Sequence, residues 1–315
     1  HYILTDGRYT TAVKEKVKDF ELIEISSSLS FEKALKNLAK KHNIKKLGIE
    51  EDNLTVSEHK TISKHFNNIN HYSTHKHRVI KNKKEIAAIE KACKLGDKTF
   101  DDTLHKIKTG VSEKQLAFEI EFFIKKYGGE ISFPPIVAFG KNSSIPHHKT
   151  SDKRLTTYDK LILLDFGAKV DNYCSDMTRT VFFGKPTSEQ KRMYETVLGA
   201  QKRAINLLYS TFHPLHSHEK QITGSLVDKT ARNYIISKGY STIPHSLGHG
   251  IGLEVHEKPT LSPKSKDILK PGMVFSVEPG IYLPNFGGVR IEDLVVLEKQ
   301  GPRLLTKSLK YQIQI

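Results

Sequence analysis

The chain has 315 residues, with 50 Lys and Arg against 35 Asp and Glu, and a formal net charge of +15. Its length fits one large domain, or a domain of about 200–250 residues beside a smaller one. No apolar run approaches the roughly 20 residues that are needed to cross a bilayer, and no signal peptide is visible. We therefore expect no association with a membrane.

The cysteine content and the excess of positive charge set two further limits. Cys93 and Cys174 are too few for a disulfide framework, which is typical of a reducing compartment and predicts a cytoplasmic protein. The charge raises the question of nucleic-acid binding, but Lys far outnumbers Arg, and base-reading contacts favour Arg. Because the sequence contains no zinc knuckle, recognition-helix pattern or basic stripe with interleaved aromatic residues, we expect no specific nucleic-acid partner.

Residues 1–77 alternate short strands and helices, as in a small α/β unit. The predicted strands are 3–5, 22–25, 47–49 and 69–72, and the predicted helices are 10–17, 31–41 and 57–66. Helix 31–41 has apolar residues at helical spacing and Ser30 as its N-cap. The alternation predicts a parallel or mixed sheet. No catalytic motif is evident here, and because the region begins within a strand we expect the front of this domain to be missing.

The next part of the chain predicts two helices, Lys83–Ile107 and Ser112–Lys126, and then an edge strand. That strand, Phe133–Phe139, contains two consecutive prolines, which cannot donate to a ladder. The polar loop behind it carries His147 and His148. A loop histidine held by a rigid strand is a catalytic candidate, and a solvent-exposed histidine is the alternative interpretation.

The stretch LILLDFGAKVDNYCSDMTRT contains two aspartates in predicted strands. Leu161–Leu164 is an apolar run that ends on Asp165, and a second strand is predicted from Val170 to Val181 with Asp176 inside it. Carboxylates on neighbouring antiparallel strands can converge, because opposed Cβ atoms lie about 4.5–5.5 Å apart. Such a pair repels itself unless a metal or a shared proton intervenes. Three interpretations stay open at this point: the aspartates bind a metal, both lie in turns, or one of them pairs with Arg179.

Two helices, Glu189–Ser210 and Glu219–Ser237, are predicted next, and strands are predicted at 273–277, 289–298 and 304–314. An H-x-x-H-x-H run lies between the helices, at His213, His216 and His218. It has no carboxylate or cysteine at zinc-site spacing, which favours a surface loop over a metal site.

Three downstream segments add imidazoles and carboxylates. SLGHGIGLEVHE contains His249 and His256, VEPGIY contains Glu278, and VRIEDL contains Glu292. Carboxylate oxygens with one imidazole suit Mn, Co or Zn, and shared carboxylates suit two ions rather than one.

Taken together, DFG, SDMTRT, SLGHGIGLEVHE, VEPGIY and RIED, in this order and at these separations, resemble the aminopeptidase P/prolidase (Xaa-Pro peptidase) family. The resemblance covers about residues 78–315 and implies an α+β protein whose catalytic domain, residues 78–315, has the pita-bread fold. Residues 1–77 are similar to the later part of the family's N-terminal domain, where a DGRY turn also occurs. They are therefore expected to form a smaller, N-terminally incomplete α/β creatinase-like domain.

The resemblance also implies a metal site with five ligands. Asp165 would bind one ion, Asp176 and Glu292 would bridge two ions, and His249 and Glu278 would complete the second. Mn(II) is the metal expected from the family, and the same ligands would accept Zn or Co.

Further positions match family residues that lie around the metals and contact the substrate. They are His147, His245, His256, Tyr282 and Arg290. Glu278 matches the proposed base and proton shuttle, and we expect His256 or His245 to donate a hydrogen bond to the oxyanion. Arg290 is expected to orient Glu292 or the carboxylate side of the substrate. His148 has no counterpart in the pattern.

Several activities remain open within and beyond this family. We expect an aminopeptidase that accepts longer peptides with proline at the second position. An Xaa-Pro dipeptidase, the alternative, would hold the free carboxylate of its substrate on a cation. A catalytically silent binding module is disfavoured because all five ligand positions are kept, and methionine aminopeptidase is disfavoured by the N-terminal region and RIED. The family tendency also predicts a homodimer.

Overall fold

The structure, a computed structural model, describes residues 1–212, 221–310 and 313–315. These residues form two compact units, His1–Thr74 and His75–Ile315. The predicted domain boundary, after residue 77, falls inside a short helix at the start of the second unit. The predicted loop with His213, His216 and His218, and the predicted start of the following helix at Glu219, lie outside the described residues.

The first unit alternates strands and helices as predicted. Its elements are β1 (Tyr2–Asp6), α1 (Thr10–Lys16), β2 (Glu21–Ile25), α2 (Phe31–Lys41), β3 (Leu47–Glu50), α3 (Val56–Ser63) and β4 (Ile69–Tyr72). Helix α2 begins after the predicted cap, where Ser30 Oγ accepts from the Lys33 backbone N–H at 3.3 Å. β1 pairs with β2 and β3 with β4, both in parallel. The parallel pairing is confirmed, but as two separate two-stranded sheets.

The second unit contains the remaining helices and strands. Its helices are α4 (His75–Arg78), α5 (Lys83–Leu104), α6 (Glu113–Lys126), α7 (Ser188–Phe212) and α8 (Gly224–Ser237), with a 3₁₀ helix at Gly140–Ser144. Its strands are β5 (Glu130–Ile131), β6 (Ile136–Phe139), β7 (Leu161–Phe166), β8 (Ala168–Val170), β9 (Tyr173–Cys174), β10 (Met177–Phe182), β11 (Gly248–Gly250), β12 (Glu257–Leu261), β13 (Val274–Val277), β14 (Gly280–Leu283), β15 (Gly287–Arg290), β16 (Asp293–Glu298) and β17 (Gly301–Leu304). None of the described helices is both long and apolar enough to cross a membrane.

Two sheets of this unit carry most of the candidate site. One has the strand order β10-β7-β6, and the other has the order β12-β11-β13-β16-β17. β6 is the edge strand that its prolines predicted, and it starts at Ile136, after both of them. β7 pairs antiparallel with both of its neighbours, and all six of its residues are buried, as its apolar sequence predicts.

Three predicted strands are wrong in extent. The segment 289–298 is the end of β15 and the whole of β16, separated by Ile291 and Glu292. The segment Val170–Val181 is three short strands rather than one, because Asp171 and Asn172 have φ of 52° and 68° and turn the chain back on itself. Among the described residues of the predicted strand Leu304–Gln314, Leu304 is the last residue of β17, and Gln314 forms an isolated parallel bridge with Phe182. The backbone N–H groups of Lys307 and Ser308 donate to the carboxylate of Asp97, so that they are not available to a strand ladder.

Helix α7 supports the strands that lead into the site. Its apolar face, including Val197 and Leu208, packs in one core cluster with Phe275 of β13. Burying a side chain of this size contributes about 1.5–3 kcal/mol. From the same helix, the buried amide of Gln201 donates to the carbonyls of Val277 and Ile291 at 3.0 and 3.2 Å. These carbonyls come directly before Glu278 and Glu292, so α7 fixes the backbone at two candidate ligands.

Candidate metal centre and its cavity

The residues singled out from the sequence lie around one cavity of about 450 Å³ in the second unit. The cavity is lined by all five candidate ligands, Asp165, Asp176, His249, Glu278 and Glu292, and by His147, His245, His256 and Arg290. The hydroxyl of Tyr282 is hydrogen-bonded to two of these residues, to His245 Nε2 at 2.8 Å and to Arg290 Nη1 at 3.0 Å. Phe133, Ile136 and Val255 add an apolar wall.

The two aspartates converge as the antiparallel pairing predicts, although they are not directly opposed. Asp165 is near the end of β7, where its register partner on β10 is Thr178. Asp176 precedes β10 and lies just past the ladder, and both carboxylates are buried. The alternative pairing of one aspartate with Arg179 is wrong, because Arg179 Nη2 lies 2.7 Å from Asp293 Oδ1.

Strand β11 brings His249 to the cavity between two glycines. A Cβ at Gly248 would lie 2.0 Å from the Ser276 carbonyl oxygen, and one at Gly250 would lie 2.1 Å from that of Lys258. Any larger residue would therefore push β11 away from its neighbours. Nδ1 of His249 lies 3.1 Å from the Gly250 carbonyl oxygen, which can only accept, so Nδ1 carries hydrogen and Nε2 faces the carboxylates.

Three candidate ligands form a close group. The ligand atoms of Asp176, His249 and Glu292 all lie within 4.8 Å of one another. His249 Nε2 is 3.6 Å from Asp176 Oδ2 and 3.3 Å from Glu278 Oε1. Asp176 Oδ1 and Glu292 Oε1 are buried without a hydrogen-bond partner among the described residues. Unpartnered buried carboxylate oxygens are costly, which makes these two atoms candidates for cation ligands.

The electrostatics of the group also favour cation binding. Burial, and then the charge of neighbouring carboxylates, raise the pKa values of Asp176 and Glu292 well above their ordinary values. Burial also disfavours the charged forms of Glu278 and His249, but the hydrogen bond and the charge attraction between these two residues outweigh its effect on their pKa values. That pairing lowers the pKa of Glu278 to about 2 and raises that of His249 to about 9. The carboxylates are thus crowded beyond what the local cations neutralise, and divalent cations would relieve the repulsion.

Arg290 does not orient Glu292 directly, in contrast to one of its two predicted roles. Its Nη2 is paired with Asp165 Oδ2, and both groups are largely buried. Its Nε donates to Thr178 Oγ1 at 3.0 Å, and that hydroxyl donates to Glu292 Oε2 at 2.7 Å. Arg290 therefore reaches Glu292 only through Thr178.

The hydrogen bonds of His245 determine which of its nitrogens accepts. Nδ1 lies 2.8 Å from the Ser246 carbonyl oxygen and must donate to it, so the neutral ring accepts the Tyr282 hydroxyl hydrogen at Nε2. Burial lowers the pKa of His245, which favours this neutral form. His256 has its ring edge-on to that of His249, with centroids 4.3 Å apart. His147 lines the cavity from an exposed position.

Sequence reasoning missed several residues that hold the ligands in place. Ser276 Oγ accepts from the His249 backbone N–H at 3.0 Å and donates to Glu278 Oε1 at 3.0 Å. Arg179 binds the carbonyl of Glu292 in addition to Asp293. The signal that could have indicated them is their position beside the motifs: Arg179 lies within SDMTRT, and Asp293 ends RIED.

His148 was also missed. The family pattern has no counterpart for it, and the alternative interpretation of the loop histidines was solvent exposure, but its side chain is only 10% exposed. Its Nε2 lies 2.8 Å from Glu113 Oε2, across 35 residues of sequence.

Comparisons with known proteins agree with this geometry. Residues 87–299 match the model of metallopeptidase family M24, and residues 1–80 match that of the creatinase/prolidase N-terminal domain. An Xaa-Pro dipeptidase of Pyrococcus horikoshii is 43% identical over 233 residues, which are 73% of this chain and 63% of that protein.

Two solved structures superimpose over nearly the whole chain. An Xaa-Pro dipeptidase from Bacillus anthracis has a TM-score of 0.90 at 38% identity, with 99% of this chain and 86% of that chain covered. An X-Pro aminopeptidase from Thermotoga maritima MSB8 has a TM-score of 0.88 at 37% identity, with 100% of this chain and 87% of that chain covered.

Proposed function

Because the chain belongs to metallopeptidase family M24 and is therefore a hydrolase, we propose that it cleaves the peptide bond that precedes proline. The α+β architecture expected from the sequence, a creatinase-like N-terminal domain and a pita-bread catalytic domain, is confirmed. The observation that carries the proposal is the group of Asp176, His249 and Glu292, whose two carboxylates are buried, in a cavity of about 450 Å³.

Metallopeptidases of this family use divalent metals, and the residues present fit such ions. The unpartnered oxygens of Asp176 and Glu292 and the crowding of buried carboxylates are the supporting observations. We assign Asp165 to one ion, Asp176 and Glu292 to both, and His249 and Glu278 to the second. Mn(II) is the proposed metal, although Zn and Co suit the same ligands. When bound, two such ions would supply a nucleophilic water at neutral pH and stabilise charge on the scissile carbonyl oxygen.

The chain's own groups would bind the substrate and move the proton. An Xaa-Pro amide has no N–H, so the cavity needs no acceptor for it, and the apolar wall suits the pyrrolidine ring. Glu278 would take a proton from the attacking water and pass it to the departing proline nitrogen. Because the Nε2 atom of His245 accepts from Tyr282, we assign the oxyanion hydrogen bond to His256 rather than to His245. His147 would contact the substrate from its loop.

The named relatives support a dipeptidase better than the aminopeptidase expected from the sequence. The Pyrococcus horikoshii protein and the Bacillus anthracis structure are both described as Xaa-Pro dipeptidases. We therefore propose Xaa-Pro dipeptidase activity first. An aminopeptidase remains the second candidate on one observation: among the described residues that line the cavity, Arg290 is the one Arg or Lys, and Asp165 already binds it. A dipeptide carboxylate would have to share that guanidinium, whereas a longer peptide would not need it.

A substrate comparison tests the proposal. The purified protein, loaded with Mn(II), is offered Xaa-Pro dipeptides, Xaa-Pro-Yaa tripeptides and Xaa-Ala controls. Cleavage of the dipeptide alone supports a dipeptidase, and cleavage of the tripeptide before proline supports an aminopeptidase. If Xaa-Ala is cleaved as fast as Xaa-Pro, or if no peptide is cleaved, the proposed specificity is wrong.

A further inference from the structure

A fully buried carboxylate lies behind the loop that carries His147. Glu113 is the first residue of α6, and its side chain has no solvent exposure. It does not cap its own helix, since Ser112 and Gln115 form the capping box there. It is also not among the residues that line the cavity. The reason for a buried charge at this position must therefore lie in what it binds.

Glu113 accepts five hydrogen bonds from a single stretch of chain, residues 139–151. Oε1 accepts from the Phe139 backbone N–H and from Asn142 Nδ2, both at 2.8 Å. Oε2 accepts from His148 Nε2 at 2.8 Å and from both the backbone N–H and the hydroxyl of Ser151. The donors come from the end of β6, the 3₁₀ helix and the far side of the loop, so one carboxylate ties together both ends of the segment that contains His147.

The same segment also touches the other side of the cavity. The carbonyl of Pro146 accepts from Arg290 Nη1 at 3.2 Å. His147 is therefore placed between a residue bound to Arg290 and a residue bound to Glu113, although its own side chain is exposed. An exposed histidine on a loop keeps one orientation only if the backbone on both sides is fixed. Glu113 and His148 supply the fixed point on one side.

We propose that Glu113, together with His148, is a positioning residue that holds the loop so that His147 meets the substrate. This inference rests on the proposed function, since it assigns His147 to substrate contact. Glu113 acts through the backbone of residues 146–148 and does not touch the substrate itself. An ionised carboxylate is needed because all five partners are donors, and a carboxamide would present an N–H₂ group to some of them.

A double-mutant cycle separates positioning from general stabilisation. We expect Glu113→Gln to lower kcat/KM for an Xaa-Pro substrate by about 10–100-fold, the range for a displaced substrate-contacting group. In a His147→Ala background, the same substitution should lower kcat/KM by less than about 2-fold, because there is no His147 left to misplace. Equal losses in both backgrounds would mean that Glu113 does not act through His147, and would overturn the proposal.

A matched control and a milder variant keep the test valid if Glu113→Gln folds poorly. Asp97→Asn removes another carboxylate of the same unit that accepts from backbone N–H groups, those of Lys307 and Ser308, which lie outside residues 139–151. It should change kcat/KM by less than about 2-fold in either background. His148→Leu removes a single donor and should reproduce part of the Glu113→Gln loss, whereas His148→Gln keeps a donor near the same place and should restore activity. If His148→Leu and His148→Gln have the same activity, the proposed role of His148 is wrong.

A measurement that needs no turnover distinguishes failure of this inference from failure of the proposed function. The imidazole ¹³Cε1 signal of His147 is assigned in the Zn(II)-loaded protein by its loss in His147→Ala, because Zn(II) suits the same ligands and, unlike Mn(II), is not paramagnetic. We expect Glu113→Gln to shift or broaden this signal and Asp97→Asn to leave it unchanged. If the wild type cleaves no Xaa-Pro peptide while the signal responds as expected, the function is wrong and the positioning holds. A signal that is the same in wild type and Glu113→Gln overturns the positioning.

Discussion

Replacing Arg290 by Met tests whether Asp165 binds a metal. Met removes the guanidinium while keeping much of the side-chain bulk, and it leaves the buried Asp165 without its cation. Removing one partner of a buried ion pair costs about 3–5 kcal/mol of unfolding free energy. That cost applies to the metal-free protein, in which Arg290 is the cation paired with Asp165.

With metal bound, the same substitution should cost less. An ion on Asp165 would compensate its charge, leaving mainly the lost hydrogen bonds from Arg290 to Thr178, Tyr282 and the Pro146 carbonyl. Each of the three contributes about 1 kcal/mol, so the penalty should fall to about 3 kcal/mol. By thermodynamic linkage, a difference of up to about 2 kcal/mol between the two states means up to about 30-fold tighter metal binding by the variant.

Unfolding of wild type and Arg290→Met, once in EDTA and once in saturating Mn(II), measures the two penalties, and calorimetric titration measures the affinities. Arg232→Met is the matched control, because Arg232 and Asp228 form a similarly buried pair at 2.6 Å that includes no candidate ligand. Its penalty should be the same with and without metal. If the penalty of Arg290→Met is also independent of metal, Asp165 is not a ligand and the assignment of the first ion is wrong.

Three further predictions follow from buried groups. Asp176→Asn should lower bound metal below two ions per chain and abolish peptide hydrolysis. It should nevertheless stabilise the metal-free protein, because burial and neighbouring carboxylates raise the pKa of Asp176 and so make its charged form unfavourable in the folded state. Elemental analysis and unfolding in EDTA measure these effects, and full turnover by the variant would contradict them. The pKa of Glu113 is lowered from its usual value of 4.5, since its hydrogen bonds outweigh the effect of burial. The stability that the ionised Glu113 contributes is therefore present above pH 4.5 and lost as the pH falls through its lowered pKa. The unfolding free energies of wild type and Glu113→Gln should converge in acid and differ most near neutrality. A difference between them that widens in acid would refute this. Phe275→Ala, in the core between β13 and α7, should cost about 3–5 kcal/mol by urea denaturation, and a loss below about 1 kcal/mol would mean that this core is not closely packed.

Local patterns carried most of the sequence interpretation. Leu161–Leu164 is apolar at every position, which is typical of a strand buried on both faces, and it leads directly to Asp165. The two prolines just before β6 predict an edge strand, and β6 is at the edge of its sheet. The cap at Ser30 likewise depends only on residues three positions apart. Such features are decided within a few residues, so the sequence alone could predict them.

Side-chain partners far apart in sequence could not be predicted in this way. Arg290 lies two residues before Glu292 in the chain but pairs with Asp165, 125 residues away. Arg179 is three residues from Asp176 yet binds Asp293, 114 residues away. Each choice depends on which strands become neighbours in the folded unit, and periodicity contains no such information.

The errors in strand length have local causes that periodicity also overlooks. Val170–Val181 looks like one strand by composition, but Asp171 and Asn172 adopt left-handed backbone angles that end it. Asp and Asn tolerate these angles better than most residues, so their pairing was the available signal for a turn.

A titration of the metal-free protein with Mn(II), in which bound ions and cleavage of an Xaa-Pro peptide are measured in the same samples, tests most directly whether peptide cleavage depends on two metal ions. Activity should appear as the number of bound ions approaches two per chain, and an Xaa-Ala peptide should stay intact. Full activity without bound metal, or two bound ions without cleavage of any Xaa-Pro peptide, would contradict this prediction.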